Sequence, residues 1–254
     1  MTTEVPCAIM HGKSTAKEGT RLSSFALAAL ALAFLFLDST GLALFPRQQW
    51  FRAAGFFAFP LFCFLLVQGF MQAKDRKKYA LHLLLLALAA EIPFDLLLFG
   101  RPFELSEQNA AFSLVLSLLA LTADESLKEH MPLRVLSWLA SGLLALILNV
   151  SYGFLGPFLC LSFQNAATAK RQALSAFAVS LGYAIVLLCS GADPAFLRPA
   201  LAAPLSCVPI FLYDGRPSKC GRALSFILYA AWPLVLLLLL LMRSTRIVPP
   251  WFLK

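Results

Sequence analysis

Three carboxylates stand in stretches that are otherwise apolar. Asp38 lies late in the run 24–45, and Glu91 and Asp95 lie in the run 79–99. A charge deep in a membrane helix costs roughly 2.5–3.5 kcal/mol on insertion scales, so such groups usually face a bundle interior and handle ions, protons or substrate. Glu91 and Asp95 are four residues apart, about 40° around a helix, and share a face. Pro93 between them removes a backbone hydrogen bond and predicts a kink or break. The pair could line a polar pocket, or it could mark a wet helix end among lipid headgroups. Asp38, seven residues before Phe45, allows the same two readings. His82 is nine residues from Glu91, about 180° around the helix, so it forms no dyad within that segment and reads as a packing or snorkelling residue.

Two short motifs add polar groups at the ends of runs. Tyr152-Gly153-xx-Gly156-Pro157 suits a tight turn with close backbone approach, or an ordinary helical-hairpin corner. Asp214-Gly215-Arg216-Pro217 contains a turn dipeptide, and its arginine could also clamp the phosphates of an acyl donor such as a coenzyme A. There is no Walker loop, dinucleotide fingerprint, HExxH or GxSxG. The six cysteines have no metal-binding or disulfide spacing, and four lie inside apolar runs, where cysteine packs as a small hydrophobe. No metal site is expected.

The elements that must position these groups are membrane helices. The chain is 60% hydrophobic and 13% charged, about half the charged share of a soluble domain. The apolar residues arrive in blocks: Ala223–Met242 holds one serine and no charge. Blocks of about 20 such residues span the hydrocarbon core, and there the backbone must bond to itself, as helices do. The runs 24–45, 53–71, 79–99, 110–123, 133–149, 151–167, 173–190, 196–213 and 223–242 predict an all-α, polytopic transmembrane bundle of about nine spans. A polar tail (1–23) precedes it and a short tail (243–254) follows.

The net charge of +8 would raise nucleic acid as a partner of a soluble protein. Here the basic residues cluster between apolar runs, which fits the lipid bilayer and excludes nucleic acid. One set of alternating connectors, with the N-terminal tail, carries 14 Lys and Arg against 7 on the other. Lys74, Arg76, Lys77 and Lys78 dominate the first set, so the N-terminus is expected in the cytoplasm. Nine spans then put Arg243 and Arg246 outside, against the rule, unless a tenth or re-entrant span intervenes.

The order of blocks resembles the TraX family of polytopic bacterial membrane proteins over residues 21–242. The resemblance is carried by Arg52-Ala-Ala-Gly55-Phe-Phe-Ala-Phe59-Pro60-Leu-Phe62, Gly69-Phe70, Lys78-Tyr79 and Glu91-Ile92-Pro93-Phe94-Asp95. It continues through Asn109, Phe112-Ser113-Leu114, Tyr152-Gly153-xx-Gly156, Tyr213-Asp-Gly215 and Tyr229-Ala-Ala-Trp232-Pro233-Leu. It implies a bacterial inner-membrane protein associated with N-terminal acetylation of conjugative pilin and distantly similar to membrane acyltransferases. The implied donor is acetyl-CoA and the implied acceptor a pilin-like protein or a glycan. Asp38, Glu91 and Asp95 would line the catalytic pocket, with Arg52, Asn109, Tyr152 and Arg216 holding substrate.

The departures bear on activity. Ser39 and Val235 stand where the family pattern has histidine, Phe56 and His82 where it has arginine, and Gln68 where it has glutamate. Acyl transfer commonly uses histidine as general base, so that role is left unassigned. The readings are therefore an acyltransferase, a degenerate relative kept as a binding or assembly component, or a small-solute carrier working through the intramembrane carboxylates. The oligomeric state is not encoded in any motif.

Overall fold

The computed structural model describes residues 22–45, 48–214 and 222–244. Helices make up nearly all of it: α1 (Ser24–Leu44), α2 (Gln49–Gln72), α3 (Arg76–Leu98), α4 (Ala110–Ser126), α5 (Met131–Ile147), α6 (Leu155–Asn165) and α7 (Ala169–Cys189). Then come α8 (Pro194–Ala200), a 3-10 turn (Ala203–Ser206), α9 (Cys207–Phe211) and α10 (Arg222–Ser244). α1, α2, α3, α7 and the broken unit Pro194–Phe211 are each long and apolar enough to cross a membrane. Polar residues set the boundaries. The side chains of Ser23, Asp75, Asn109 and Thr168 accept hydrogen bonds from the first-turn N–H groups of α1, α3, α4 and α7.

The nine apolar runs each find a helical counterpart, with two corrections. The run 151–167 is not a full span: residues 148–154 form a turn, and α6 has only 11 residues. At 1.5 Å per residue it is about 16 Å long, roughly half the hydrocarbon thickness. The run 196–213 is broken into three pieces. Pro194, Pro199, Pro204 and Pro209 recur every five residues, and each lacks an N–H and crowds the preceding turn, so no continuous helix can form. Conversely, α3 continues through Pro93 to Leu98 instead of breaking there. A single missing bond is tolerated within a long helix packed on its neighbours.

Alternating helix directions give the bundle two ends. At one end Leu22 pairs with the 212–214 segment through Leu22 N–H to Leu212 O (2.8 Å) and Asp214 N–H to Leu22 O (3.1 Å). Exposed Lys74, Lys77 and Lys78 share this basic end, where Arg76 pairs with Glu125. Buried Asp124 accepts from Arg134 Nε (2.9 Å) and Nη2 (3.0 Å) and from Trp138 Nε1 (2.6 Å), tying α4 to α5. The opposite end collects residues 99–109, the 148–154 turn and the end of α10. There Arg243 Nη1 donates to Leu97 O at 2.5 Å, completing the C-terminus of α3. The arginine that opposed the charge rule therefore has a specific carbonyl to serve.

α2 lies at the centre, packed on α1, α4, α6 and the broken helix. Phe59, Phe64, Leu66 and Val67 are buried along it, with Phe64 edge-on to Phe163 and Tyr213. α4 and α6 approach closely through Gly156, where a Cβ would lie 2.6 Å from Ser113 Oγ and 2.8 Å from Ser117 Oγ. Small residues play this part between membrane helices. We predict that Gly156→Ala destabilises the bundle by about 1–3 kcal/mol in detergent unfolding. Adding Ser113→Gly and Ser117→Gly recovers part of the loss if steric overlap is its cause.

Candidate functional site

The site begins with a hairpin. α1 and α2 are antiparallel and joined by the short 45–48 segment, so Asp38, two turns before the end of α1, lies level with Arg52 in the first turn of α2. Arg52 Nη1 donates to Asp38 Oδ1 at 3.1 Å and Oδ2 at 3.3 Å. Asp38 is 4% exposed. Burying either charge alone would be far more costly than burying the pair.

Gly55, one turn beyond Arg52, makes room for a third group. A Cβ at position 55 would lie 2.6 Å from Asp38 Cγ and 2.6 Å from Tyr152 Oη, so only glycine lets the tyrosine hydroxyl approach the carboxylate. Tyr152 reaches this place from the 148–154 turn. Its ring stacks on Phe59 (4.1 Å between centroids) and meets Phe56 edge-on (5.0 Å). The turn is unusual in backbone: Asn149 (φ 47°), Tyr152 (φ 65°) and Gly153 (φ 50°) are left-handed. Such conformations persist only where surrounding structure enforces them. Here Gln108 N–H donates to Asn149 O and Ser151 N–H to Gln108 O, both at 2.9 Å.

Asp38 and Arg52 open onto a cleft between α1, α2, the start of α4, and α10. One part is lined by Asp38, Ser39, Arg52, Ser151 and Tyr152 with Phe94 and Leu236. An adjoining part is walled by Leu32, Gly55, Phe59, Phe62, Leu86 and Leu114. Leu35, Ala110, Tyr152 and Trp232 border both. Trp232 is 9% exposed, and its buried Nε1–H has no partner among the described residues. A buried donor left unmet carries a penalty that an acceptor in the cleft would remove. The geometry suits an apolar chain ending in a carbonyl, with Arg52 and Trp232 Nε1 available as donors and the Tyr152 hydroxyl beside them.

Glu91 and Asp95 share a face, as their spacing requires, and that face holds residues 99–109. Asn109 donates to Glu91 Oε2 from its backbone N–H (3.2 Å) and from Nδ2 (2.5 Å), and Nδ2 also reaches Ala87 O (2.9 Å). Asp95 Oδ2 accepts from Glu104 N–H at 2.9 Å, while its Oδ1 has no partner among the described residues. Neither carboxylate is among the cleft-lining residues, so the three intramembrane acids form two groups and not one. Glu104, beyond the helices, has its carboxyl held below the usual carboxylate range by the Ser106 hydroxyl and by Arg101. His82 is exposed on the α3 turn nearest the basic end, its Nδ1 2.6 Å from Lys78 O, and stays apart from the site. Arg216 lies outside the described residues.

The structure adds residues that spacing did not single out. Ser151 Oγ donates to Glu107 Oε1 at 2.8 Å, and Glu107 is close enough to Asp38, Arg52 and Tyr152 for their charges to interact. Trp232 could have been suspected as the one indole in an aliphatic run. Glu107 and Ser151, in loops 44 residues apart, left no such signal.

Comparison with known proteins places the chain. It matches the family described as "TraX protein" over residues 23–243, and it belongs to that family. It is 32% identical over 124 residues to a protein of Dichelobacter nodosus named as a probable fimbrial assembly protein, FimC of serogroup H1. That match covers 44% of this chain and 50% of the relative, so the chain spans about half the length of the curated relative it matches. No solved structure matches.

The Asp38–Arg52 pair yields a cycle test. Arg52→Ala, which leaves a buried carboxylate alone, is predicted to cost about 3–5 kcal/mol. Asp38→Asn combined with Arg52→Gln should cost less than that single change in the same detergent-unfolding assay. Additive losses would show that the two side chains are not coupled.

Proposed function

We propose that this TraX-family chain is a membrane-embedded acyltransferase, moving an acetyl group from acetyl-CoA to a pilin-like protein or a glycan at the bacterial inner membrane. The observation that carries this reading is a paired arginine and a tyrosine hydroxyl at the head of an apolar cleft inside the bundle. Acyl transfer develops negative charge on the carbonyl oxygen, and preorganised donors in a dry site stabilise it. Arg52 supplies such donors through the N–H groups not spent on Asp38, and Tyr152 Oη, which lies beside the same carboxylate, turns its one proton to the oxyanion as charge develops there. Asp38 positions Arg52 and balances its charge. Asn109 acts through the loop it pins to α3.

The basic end bears Lys74, Lys77 and Lys78, which suits cytoplasmic placement. The acyl arm would lie along the cleft, past Leu86 and Phe62 toward Arg52. The name of the D. nodosus relative favours a fimbrial or pilus protein as acceptor. A second reading, a degenerate relative that binds a partner, is favoured by Ser39 lining the cleft where histidine would serve as base. A solute carrier is disfavoured because Glu91 and Asp95 are bonded to the 99–109 backbone.

Protein in lipid nanodiscs incubated with radiolabelled acetyl-CoA should transfer label to acceptor. Tyr152→Phe, which removes one donor and keeps the ring stacked on Phe59, should slow transfer by about 100-fold. Wild-type protein that neither binds nor transfers label would favour the degenerate reading instead.

A further inference from the structure

Two polar groups bordering the site have no part in holding the donor. Ser151 is 6% exposed and lines the same cavity as Arg52 and Tyr152. Its hydroxyl donates to Glu107 Oε1 at 2.8 Å. The two are held in register by backbone, since Gln108 and Val150 bridge and Ser151 N–H donates to Gln108 O. The serine sits on the turn with left-handed Asn149 and Tyr152 on either side. A hydroxyl fixed to a carboxylate, on an enforced turn, facing a cavity with arginine and indole donors, has the parts of an activated nucleophile. The expected histidine base is absent, and here a carboxylate accepts the hydroxyl proton's hydrogen bond instead.

We propose that Ser151 is the nucleophile of a two-step transfer, with Glu107 as its general base. This rests on the acyltransferase reading above and assigns the base that reading lacks. In the first step Ser151 Oγ attacks the thioester carbonyl carbon and its proton passes to Glu107. The C–S bond breaks, and the thiolate leaves with the proton from Glu107, giving a serine ester and a free thiol. In the second step an acceptor amine or hydroxyl attacks the ester carbonyl and loses a proton to Glu107. The C–O bond to Ser151 breaks, and Oγ recovers that proton. No oxidant or further reactant is needed. A covalent stop lets thiol donor and acceptor use the site in turn.

The test uses the full chain in nanodiscs, radiolabelled acetyl-CoA as donor and hydroxylamine as a generic acceptor that yields an acetyl hydroxamate, counted throughout as the excess over the protein-free reaction because hydroxylamine also cleaves the acetyl-CoA thioester. Without acceptor, the wild-type peptide containing Ser151 should gain the mass of one acetyl group. Ser151→Ala should lose both adduct and hydroxamate. Glu107→Gln should slow adduct formation by about 100-fold or more. Ser151→Cys should form an adduct that neutral hydroxylamine discharges, as a thioester would, and a merely structural serine gives no such change of chemistry. Hydroxamate formed by Ser151→Ala at the wild-type rate would overturn the covalent step and leave the acyltransferase reading standing. A wild-type chain giving neither adduct nor hydroxamate would overturn both.

Discussion

The bundle is organised by a rule of the bilayer: a charge taken into it must be neutralised there. Asp38 and Arg52 meet that rule across the α1–α2 hairpin, and their pairing dictates much around them. It sets the vertical register of the two helices. It requires a glycine at 55, whose missing side chain leaves space for Tyr152 Oη. Tyr152 in turn must come from a turn twisted into left-handed conformations, and that turn is held by the 104–109 segment. α3 carries Glu91 and Asp95 to fasten that segment.

The two ends use charge differently. At the basic end Asp124 is fully occupied by Arg134 and Trp138, a closed arrangement that joins helices. At the opposite end the donors are incompletely used: Trp232 Nε1–H is unmet among the described residues, and Arg52 and Tyr152 border empty volume. Closed networks give rigidity, whereas open ones beside a cavity leave interaction energy for a ligand. Burying apolar walls around those donors lowers the local dielectric and strengthens what they can offer a developing oxyanion.

Much of this fold was legible because bilayer solvation is a blunt constraint. The apolar runs had to be helices, and Glu91 and Asp95 had to share a face. The broken helix left its signal in four prolines spaced by five, but the apolar run 196–213 by itself predicts one continuous span. The short α6 was hidden because Tyr152 and Gly153 extend its apolar run without being helical. The site itself was only half visible. Asp38 declared itself by being an acid in lipid, but its partner, Arg52, lies at a run's edge, where arginine usually meets headgroups. The link between Glu107 and Ser151 depends on two loops meeting, and neither spacing nor hydropathy encodes that. Asp38, Glu91 and Asp95 looked like one set because each is costly in lipid, yet cost does not specify which partner relieves it.

The central claim is that the cleft beside Arg52 and Tyr152 receives an acyl carbonyl. The most direct measurement is a structure of the protein in lipid nanodiscs with a non-hydrolysable acetyl-CoA analogue. The account predicts the analogue's carbonyl oxygen within hydrogen-bonding distance of Arg52 and Tyr152 Oη, with its arm between Phe62 and Leu86. An unchanged cleft filled by side chains, with the analogue absent at saturating concentration, would contradict it.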